Sequence, residues 1–534
     1  MSKKSVCLLL AALLVATAVL SLVACNPQSE YDDRGRMILN LRNLYFSEWT
    51  GGDTYTAYVE KKFNVQIKPT SYSWADWDNQ VYSPINANNL TDVFHFSLDN
   101  YNFANSYEFW AKGGVIKALP DDLSGWPNVQ KLLSGINNID SLKINGKLYC
   151  IPVAKNIKQT ETEYSPFTYV YRRDWAKKLN VYQPDDEYTW DQFVALLDAF
   201  YRDESLCNSG KNGNFIALAD VEWGFPSVVN FYKEAPHCYT VKDGQVVSTY
   251  TTSEYLEGLE LAKSWVSDNS RMYYGYDQYA AKDGDVSKQY QAGRVGVFYE
   301  NLSLSNYTTL RKNMSERSEI DTQQKLDDAT AIMKVQAPDG KYALEGTDNW
   351  FSATFFSADI SDEKMEKILD IMDWTLSDEG TEMAAYGFEG YDYEKDAEGN
   401  ITLLEDGWEK DLNGNYIDKL NGVKYLRYMC TLGYDMNSYD PLVDKDALAI
   451  LNDWYDFMDT QNQAGNLRIL KEDAAVKWMS GSLKSKNSGD LLSKANTAVT
   501  KYVYGKIDKN SYLDEFNTKM WQNVLAEINA AFNK

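Results

Sequence analysis

His95 and His237 are the only imidazoles in 534 residues. No H-E-x-x-H pair, Ser-His-Asp set or zinc cluster can be built from two histidines so placed. The phosphate-cradling pattern G-x-x-x-x-G-K-[ST], the dinucleotide pattern G-x-G-x-x-G and the nucleophile elbow G-x-S-x-G are absent. Asp411-x-Asn413-x-Asn415 opens like a calcium loop. Tyr416 stands where the sharp turn requires Gly, however, and Gly422 where Glu is expected, so the segment reads as a turn. The sequence therefore predicts no enzyme, no metal site and no cofactor. One catalytic alternative stays open, because 77 acidic residues always contain carboxylate pairs that could flank a sugar bond. The surplus lies in aromatics: 15 Trp, 39 Tyr and 20 Phe. Trp and Tyr join a flat apolar face to a polar tip. They suit a site that stacks on sugar rings while Asp, Asn and Arg pair with the desolvated hydroxyls.

Positioning such residues calls for strands that end at one edge. Residues 37–47 read as a buried strand, Asp53–Phe63 as a helix, Val65–Lys68 as a second strand by alternation, and Asp92–Phe96 as a third. Strand–helix alternation implies parallel pairing and an α/β sheet covered by helices on both faces. Ligands of such sheets sit beyond the carboxyl ends of the strands. Those ends are followed here by Trp49, by Trp74, and by Asp99, Asn100 and Tyr101. Further on, Glu222 and Trp223 lie in a Gly-marked loop, Glu300 and Asn301 follow the strand Val295–Tyr299, and Asn349 and Trp350 precede the strand Phe351–Phe356. All are candidate ligand-binding residues. Amphipathic spacing predicts helices over Trp190–Tyr201, with Thr189 as N-cap, and over Ser253–Val266, Asp362–Leu376 and Lys445–Met458. Residues 391–417 read as surface hairpins and turns. No repeat or low-complexity linker divides residues 37–534, which suggests lobes woven from several crossings.

The net charge of −24 repels phosphate backbones and anionic lipid, so nucleic acid is not expected as a partner. Lys3 and Lys4 precede an apolar run from Val6 to Ala24, the form of a secretory signal. The run ends Leu22-Val23-Ala24-Cys25, which resembles the bacterial lipobox. That resemblance implies that residues 1–24 are removed, that Cys25 is lipidated, that residues 25–36 are a tether, and that a soluble body hangs from a membrane surface through this anchor only. Cys150, Cys207, Cys238 and Cys430 match no zinc spacing and read as buried thiols, with a Cys207–Cys238 bridge open in an exported protein.

Seven segments stand out in order: Asn89–Phe94, Gly113–Leu123, Asn145-Gly-Lys-Leu-Tyr-Cys-Ile-Pro152, Tyr169-Val-Tyr-Arg-Arg-Asp-Trp-Ala-Lys-Lys-Leu179, Gly293–Phe298, Ser377–Gly380 and Gly387–Tyr393. In this order they resemble the extracellular solute-binding proteins that serve ABC importers, in particular the large carbohydrate-type members. The resemblance spans about residues 37 to 395. It implies a two-lobed, periplasmic-binding-protein-like fold with a ligand cleft between the lobes. The N-lobe would comprise residues 37–158 and 336–378, and the C-lobe residues 159–335 and 379–534. It implies an oligosaccharide ligand, permease subunits of a transporter as partners, a monomer, and Arg173 beside the cleft. The calcium loop of some large members is replaced by Asp203–Asn214, where most carboxylates are missing. Two other readings fit length, anchor and aromatics: a polysaccharide-cleaving lipoprotein, glycosidase or lyase, and an all-helical surface glycan-binding lipoprotein.

Overall fold

The computed structural model describes residues 30–532, apart from 48, 74–76, 88, 98–100, 156–163, 165–166, 204–205, 207–215, 220–238, 268–272, 275–285, 406, 411–418, 433–442 and 471–487. Among the described residues, ten strands form two five-stranded sheets. In chain order they are β1 (Met37–Asn43), β2 (Val65–Ser71), β3 (Val93–Ser97), β4 (Cys150–Ala154), β5 (Phe167–Tyr171), β6 (Ile216–Ala219), β7 (Tyr273–Tyr274), β8 (Val295–Asn301), β9 (Ala331–Ile332) and β10 (Trp350–Phe356). The first sheet runs β2-β1-β3-β10-β4 and the second β7-β6-β8-β5-β9. Two sheets this large exclude the all-helical alternative. The α/β class expected from the strand–helix rhythm is the one observed.

Local sequence explains the elements. Strand β1 alternates buried and half-buried positions along all 7 residues, as MILNLRN requires of a strand covered unequally on its two faces. The helix Thr54–Phe63 starts where the Asp53 carboxylate accepts from the backbone N–H of Tyr55 and Thr56. The helix Trp190–Arg202 opens on a capping box in which Thr189 and Gln192 satisfy each other's backbone donors. The helices Ser253–Ser267 and Asp362–Thr375 fall where the apolar spacing put them, and Lys445–Gln463 starts as expected but runs past the expected end at Met458. Within the turn-rich segment, Tyr393–Lys395 pairs antiparallel with Ile401–Leu403.

Both sheets follow one plan. In the first, β1 is parallel to β2 and β3, and only β10 runs against its neighbours β3 and β4. In the second, β6, β7 and β8 are parallel, and only β5 runs against its neighbours β8 and β9. The odd strand is fourth of five in each. Each sheet has its own core. Trp110, from the helix Tyr101–Lys112, meets Phe94, Phe96 and Phe355 in the first. In the second, Tyr169, Tyr171, Phe193, Tyr250 and Trp521 share a core on one face, while Val170, Phe298, Tyr307 and Trp454 share another.

One boundary differs from expectation. Residues 379–534 were expected with the second sheet, yet Met383, Tyr386, Tyr393, Val423, Leu426 and Cys430 pack in the first sheet's core. Asp392 explains this placement. It is 1 % exposed and accepts from Tyr55 Oη at 2.8 Å, from the Phe388 N–H at 2.6 Å and from Lys419 Nζ at 2.6 Å. These bonds tie the segment to the helix Thr54–Phe63 of the first sheet. Cys150 and Cys430 are buried free thiols, both pushed up to about 12 by burial. Cys207, Cys238 and His237 lie outside the described residues. No helix among the described residues is long and apolar enough to cross a membrane.

Candidate functional site

Strand direction locates the site. The carboxyl ends of β1, β2, β3 and β4 and the amino end of β10 share one edge of the first sheet. The carboxyl ends of β6, β7, β8 and β9 and the amino end of β5 share one edge of the second. The chain passes from the carboxyl end of β4 to the amino end of β5, so these two edges are the ones joined. Parallel strands present their last residues and the following loops at such an edge, where ligands of α/β sheets bind. Here two such edges adjoin.

Three chain crossings leave the first sheet side by side. The Lys155 N–H donates to the Asn349 carbonyl at 2.7 Å. The Ala154 N–H donates to the Cys430 carbonyl at 2.9 Å, and the Leu432 N–H returns to the Ala154 carbonyl at 2.9 Å. On the far side Tyr164 bridges Gly346, and residues 342–345 pair with 467–470. Backbone hydrogen bonds thus hold the crossings together as a band, while the two cores stay separate. Such a band can bend without disturbing either core.

Some expected residues stand on this edge. Glu300 and Asn301 end β8 and are half-buried. The Glu300 carboxylate accepts from the Asn301 N–H at 2.8 Å, and Asn301 Oδ1 accepts from the Ser303 N–H at 3.1 Å. Sequence reading missed Phe167, which opens β5 and stacks on Tyr299 with centroids 5.7 Å apart. It also missed Lys155, whose ammonium donates to Thr347 Oγ1 at 2.8 Å inside the crossing band. The available signal was positional, since both residues border the passage from β4 to β5. These groups offer an aromatic face, one cation, one carboxylate and one amide, which suit hydrogen bonding and stacking.

Other expected residues are engaged by partners within the fold. Trp49 is 2 % exposed. Its indole donates to Asp53 at 3.0 Å and Thr56 at 3.2 Å, and its ring stacks on Tyr425 at 5.5 Å. Trp350 is 1 % exposed and donates to the Asn137 carbonyl at 3.0 Å. Asn349 is buried: its Oδ1 accepts from the Asn137 N–H, and its Nδ2 donates to the Gly135 carbonyl. It pins the second crossing to the first lobe. Arg173 follows the carboxyl end of β5, the reversed strand, and so lies at the edge away from the crossings. There it pairs with Asp186 and, at 3.2 Å, with Asp328. Tyr101 begins the helix that follows β3, which places its backbone near the joined edge. Trp74, Asp99, Asn100, Glu222, Trp223 and Cys25 lie outside the described residues.

His95 sits within β3 with no exposed surface, edge-on to Tyr45 at 5.5 Å. Neither ring nitrogen has a hydrogen-bond partner among the described residues. Burial lowers its pKa to about 3, so the ring is neutral at ordinary pH. Among the described residues no group of three or more His, Cys, Asp or Glu is placed to hold a metal ion. The loop residues 204–205, 207–215 and 411–418 lie outside the description.

No family model matches the chain. Lipoprotein LipO of Bacillus subtilis (strain 168) is 22% identical over 303 residues. That match covers 55% of each protein, so the chain spans about half the length of the curated relative it matches. Solved structures match over nearly the whole chain. An extracellular solute-binding protein from Bifidobacterium longum subsp. infantis has a TM-score of 0.64 at 15% identity, over 94% of this chain and 100% of that one. An HMO-binding, ABC-transporter-associated solute-binding protein from Bifidobacterium longum infantis ATCC 15697 gives 0.63 at 14% identity, over 93% and 99%. The alginate-binding protein AlgQ2 gives 0.60 at 13% identity, over 93% and 98%. At these identities the likeness shows the fold: the two-lobed fold of ABC-transporter solute-binding proteins.

Proposed function

We propose that this protein captures an oligosaccharide between its two lobes and presents it to the permease of an ABC importer. The observation that carries this reading is the pair of sheets with one strand plan, their carboxyl edges joined by a band of three crossings. A ligand that touches both edges favours the closed arrangement by the free energy of its contacts with the second lobe. Phe167, half-buried and backed by Tyr299, supplies a stacking face, and Glu300, Asn301 and Lys155 supply hydroxyl partners. The sugar class is supported by the named ligands of the matched structures and by the aromatic surplus. The protein acts by binding, without cleaving its ligand. The signal and lipobox support export and attachment to the membrane through lipid at Cys25, with the body outside the cytoplasmic membrane as a monomer.

Titration calorimetry against a panel of oligosaccharides tests the reading. Saturable binding of at least one, recovered uncleaved, supports it. Binding of none, with a peptide or other solute bound instead, removes the sugar assignment. Release of shorter products would favour the glycosidase or lyase alternative.

A further inference from the structure

Arg42 stands next to last in β1, at the joined edge of the first lobe, and is half-buried. Its guanidinium lies over the ring of Tyr72, 4.4 Å from the centroid. Nη1 donates to the Gln80 carbonyl at 3.1 Å and Nη2 to Gln80 Oε1 at 3.0 Å. Nε has no hydrogen-bond partner among the described residues. Tyr72 follows the last residue of β2, and Gln80 lies on the helix Trp77–Asn86 that comes next, so all three side chains belong to the carboxyl end of the sheet. Other arginines of the chain are paired differently. Arg36, Arg172, Arg173, Arg311, Arg317 and Arg468 are buried or half-buried too, and each meets a carboxylate. Arg42 meets none among the described residues, although the chain holds 77 acidic residues against 53 Lys and Arg. Arg294, whose Nη1 also donates to a glutamine, Gln289, at 3.1 Å, precedes β8 and so lies at the edge away from the crossings.

We propose, resting on the oligosaccharide reading above, that Arg42 reads the ligand in the cleft and that this oligosaccharide carries a carboxylate, as a uronic acid residue does. A cation drawn partly out of water costs free energy until an anion meets it. A planar guanidinium matches a carboxylate in both shape and charge. It carries five N–H donors. Gln80 takes two of them, and the others find no acceptor among the described residues. Tyr72 against one face and Gln80 at the rim hold the plane in advance, so little side-chain freedom is lost on binding. The net charge of −24 disfavours acidic ligands in general, so an acidic sugar needs a local cation to enter. Salt screens exposed charges beyond about 8 Å, and a direct guanidinium contact acts well inside that range. Glu300, on the other lobe, then serves hydroxyls of the neighbouring sugar units and not the acid group.

The test is titration calorimetry with oligogalacturonides and other uronic acid oligosaccharides, each beside its carboxyl-reduced, neutral counterpart of the same linkage and length. The wild-type chain should bind at least one acidic member about 10- to 150-fold tighter than its reduced form, the span of one hydrogen bond to a charged group. Arg42→Gln should erase that preference, while affinity for the reduced form stays within about twofold. Arg42→Lys, which keeps the charge without the fork, should keep part of the preference and lose at least about fivefold of it. Arg294→Gln, at the far edge, should leave it whole. Should Arg42→Gln not fold, the wild-type comparison decides the carboxylate and Arg42→Lys decides the residue. Equal affinity for acidic and reduced forms overturns the proposal and leaves the oligosaccharide reading standing. A preference that survives undiminished in the Arg42 variants does the same. Binding of no sugar, acidic or neutral, overturns this proposal and the oligosaccharide reading together.

Discussion

Trp350→Ala separates a structural ring from a ligand-stacking one. The residue is 1 % exposed and its indole N–H is bonded to the Asn137 carbonyl at 3.0 Å. A tryptophan buries about 200 Å², worth about 5 kcal/mol at about 25 cal/mol per Å². That figure uses an extended unfolded chain and is an upper bound. Large aromatic-to-alanine changes in cores cost about 3–5 kcal/mol, and an unpaired Asn137 carbonyl adds about 1–3 kcal/mol if no water replaces the donor. Taking about 4 kcal/mol, and about 2–4 °C per kcal/mol for a lobe of this size, the first-lobe transition should fall by about 8–16 °C. Two cores in one chain make separate transitions expected, so scanning calorimetry is the assay. Affinity for a binding sugar, measured well below the transition, should stay within about twofold, a change of under about 0.5 kcal/mol. Trp350→Phe should recover a large part of the stability, since most of the ring area returns. A transition within about 3 °C of the parent, together with an affinity loss above about fivefold, would falsify the structural assignment and return this ring to the ligand.

The remaining predictions concern the edge, a turn and a buried base. Glu300→Ala removes one carboxylate from the joined edge; losing one charged hydrogen bond of about 1.5–3 kcal/mol should weaken sugar affinity by about 10- to 150-fold, with the melting temperature nearly unchanged, and unchanged affinity by calorimetry would remove Glu300 from the site. Gly387 has φ +94, and a Cβ there would lie 2.2 Å from Asp392 Oδ2 and 2.8 Å from Tyr55 Oη. Gly387→Ala should therefore cost at least about 2 kcal/mol in denaturant unfolding, from backbone strain and from displacement of a buried carboxylate, and a cost below about 0.5 kcal/mol would mean the loop can refold around the methyl group. His95 has a folded pKa of about 3, held down by burial, against about 6.5 unfolded. The unfolded chain alone takes up this proton between those values, so the linked stability is complete above about pH 6.5 and is lost as pH falls toward 3. At pH 4.5 the loss attributable to this ring is about 2.7 kcal/mol, and unfolding curves of His95→Phe should lack that part of the pH dependence; identical slopes in both proteins would show that His95 accepts its proton while folded.

What the sequence made legible was local. Alternation in MILNLRN, the Asp53 and Thr189 caps and the amphipathic spacing of Asp362–Thr375 each depend on neighbours within a few residues, and each element formed near its expected place. The strand expected over residues 37–47 ends at Asn43, however, where the Asn43 side chain caps a 3-10 helix over Leu44–Phe46. The candidate site depended on distant partners. Trp49 follows a carboxyl strand end, as a cleft residue should, yet its ring is claimed by Tyr425, far later in the chain. Asp392, likewise, reads as one acid among many until Tyr55, Lys419 and the Phe388 N–H are found converging on it.

Arg173 shows most plainly why a motif in the right order can still mislead about a site. It too follows a carboxyl strand end, and the rule that ligands bind at such ends holds for parallel strands. Strand β5 is the one reversed strand of its sheet, because the chain enters the second lobe from the joined edge and must run away from it. Reversal exchanges the meaning of the two ends: Phe167, at the beginning of β5, faces the crossing, while Arg173 falls at the opposite edge with Asp186 and Asp328. The same logic acts on β10, whose amino end, not its carboxyl end, meets the band of crossings. Each lobe thus turns one strand around in order to pass the chain to the other. The residues at the beginnings of those two strands, Phe167 and Trp350 with its neighbour Asn349, border the hinge because the connection between lobes requires it. That requirement explains why Asn349 is bonded on three sides rather than open to a ligand: a residue at this corner must first hold the crossing in place.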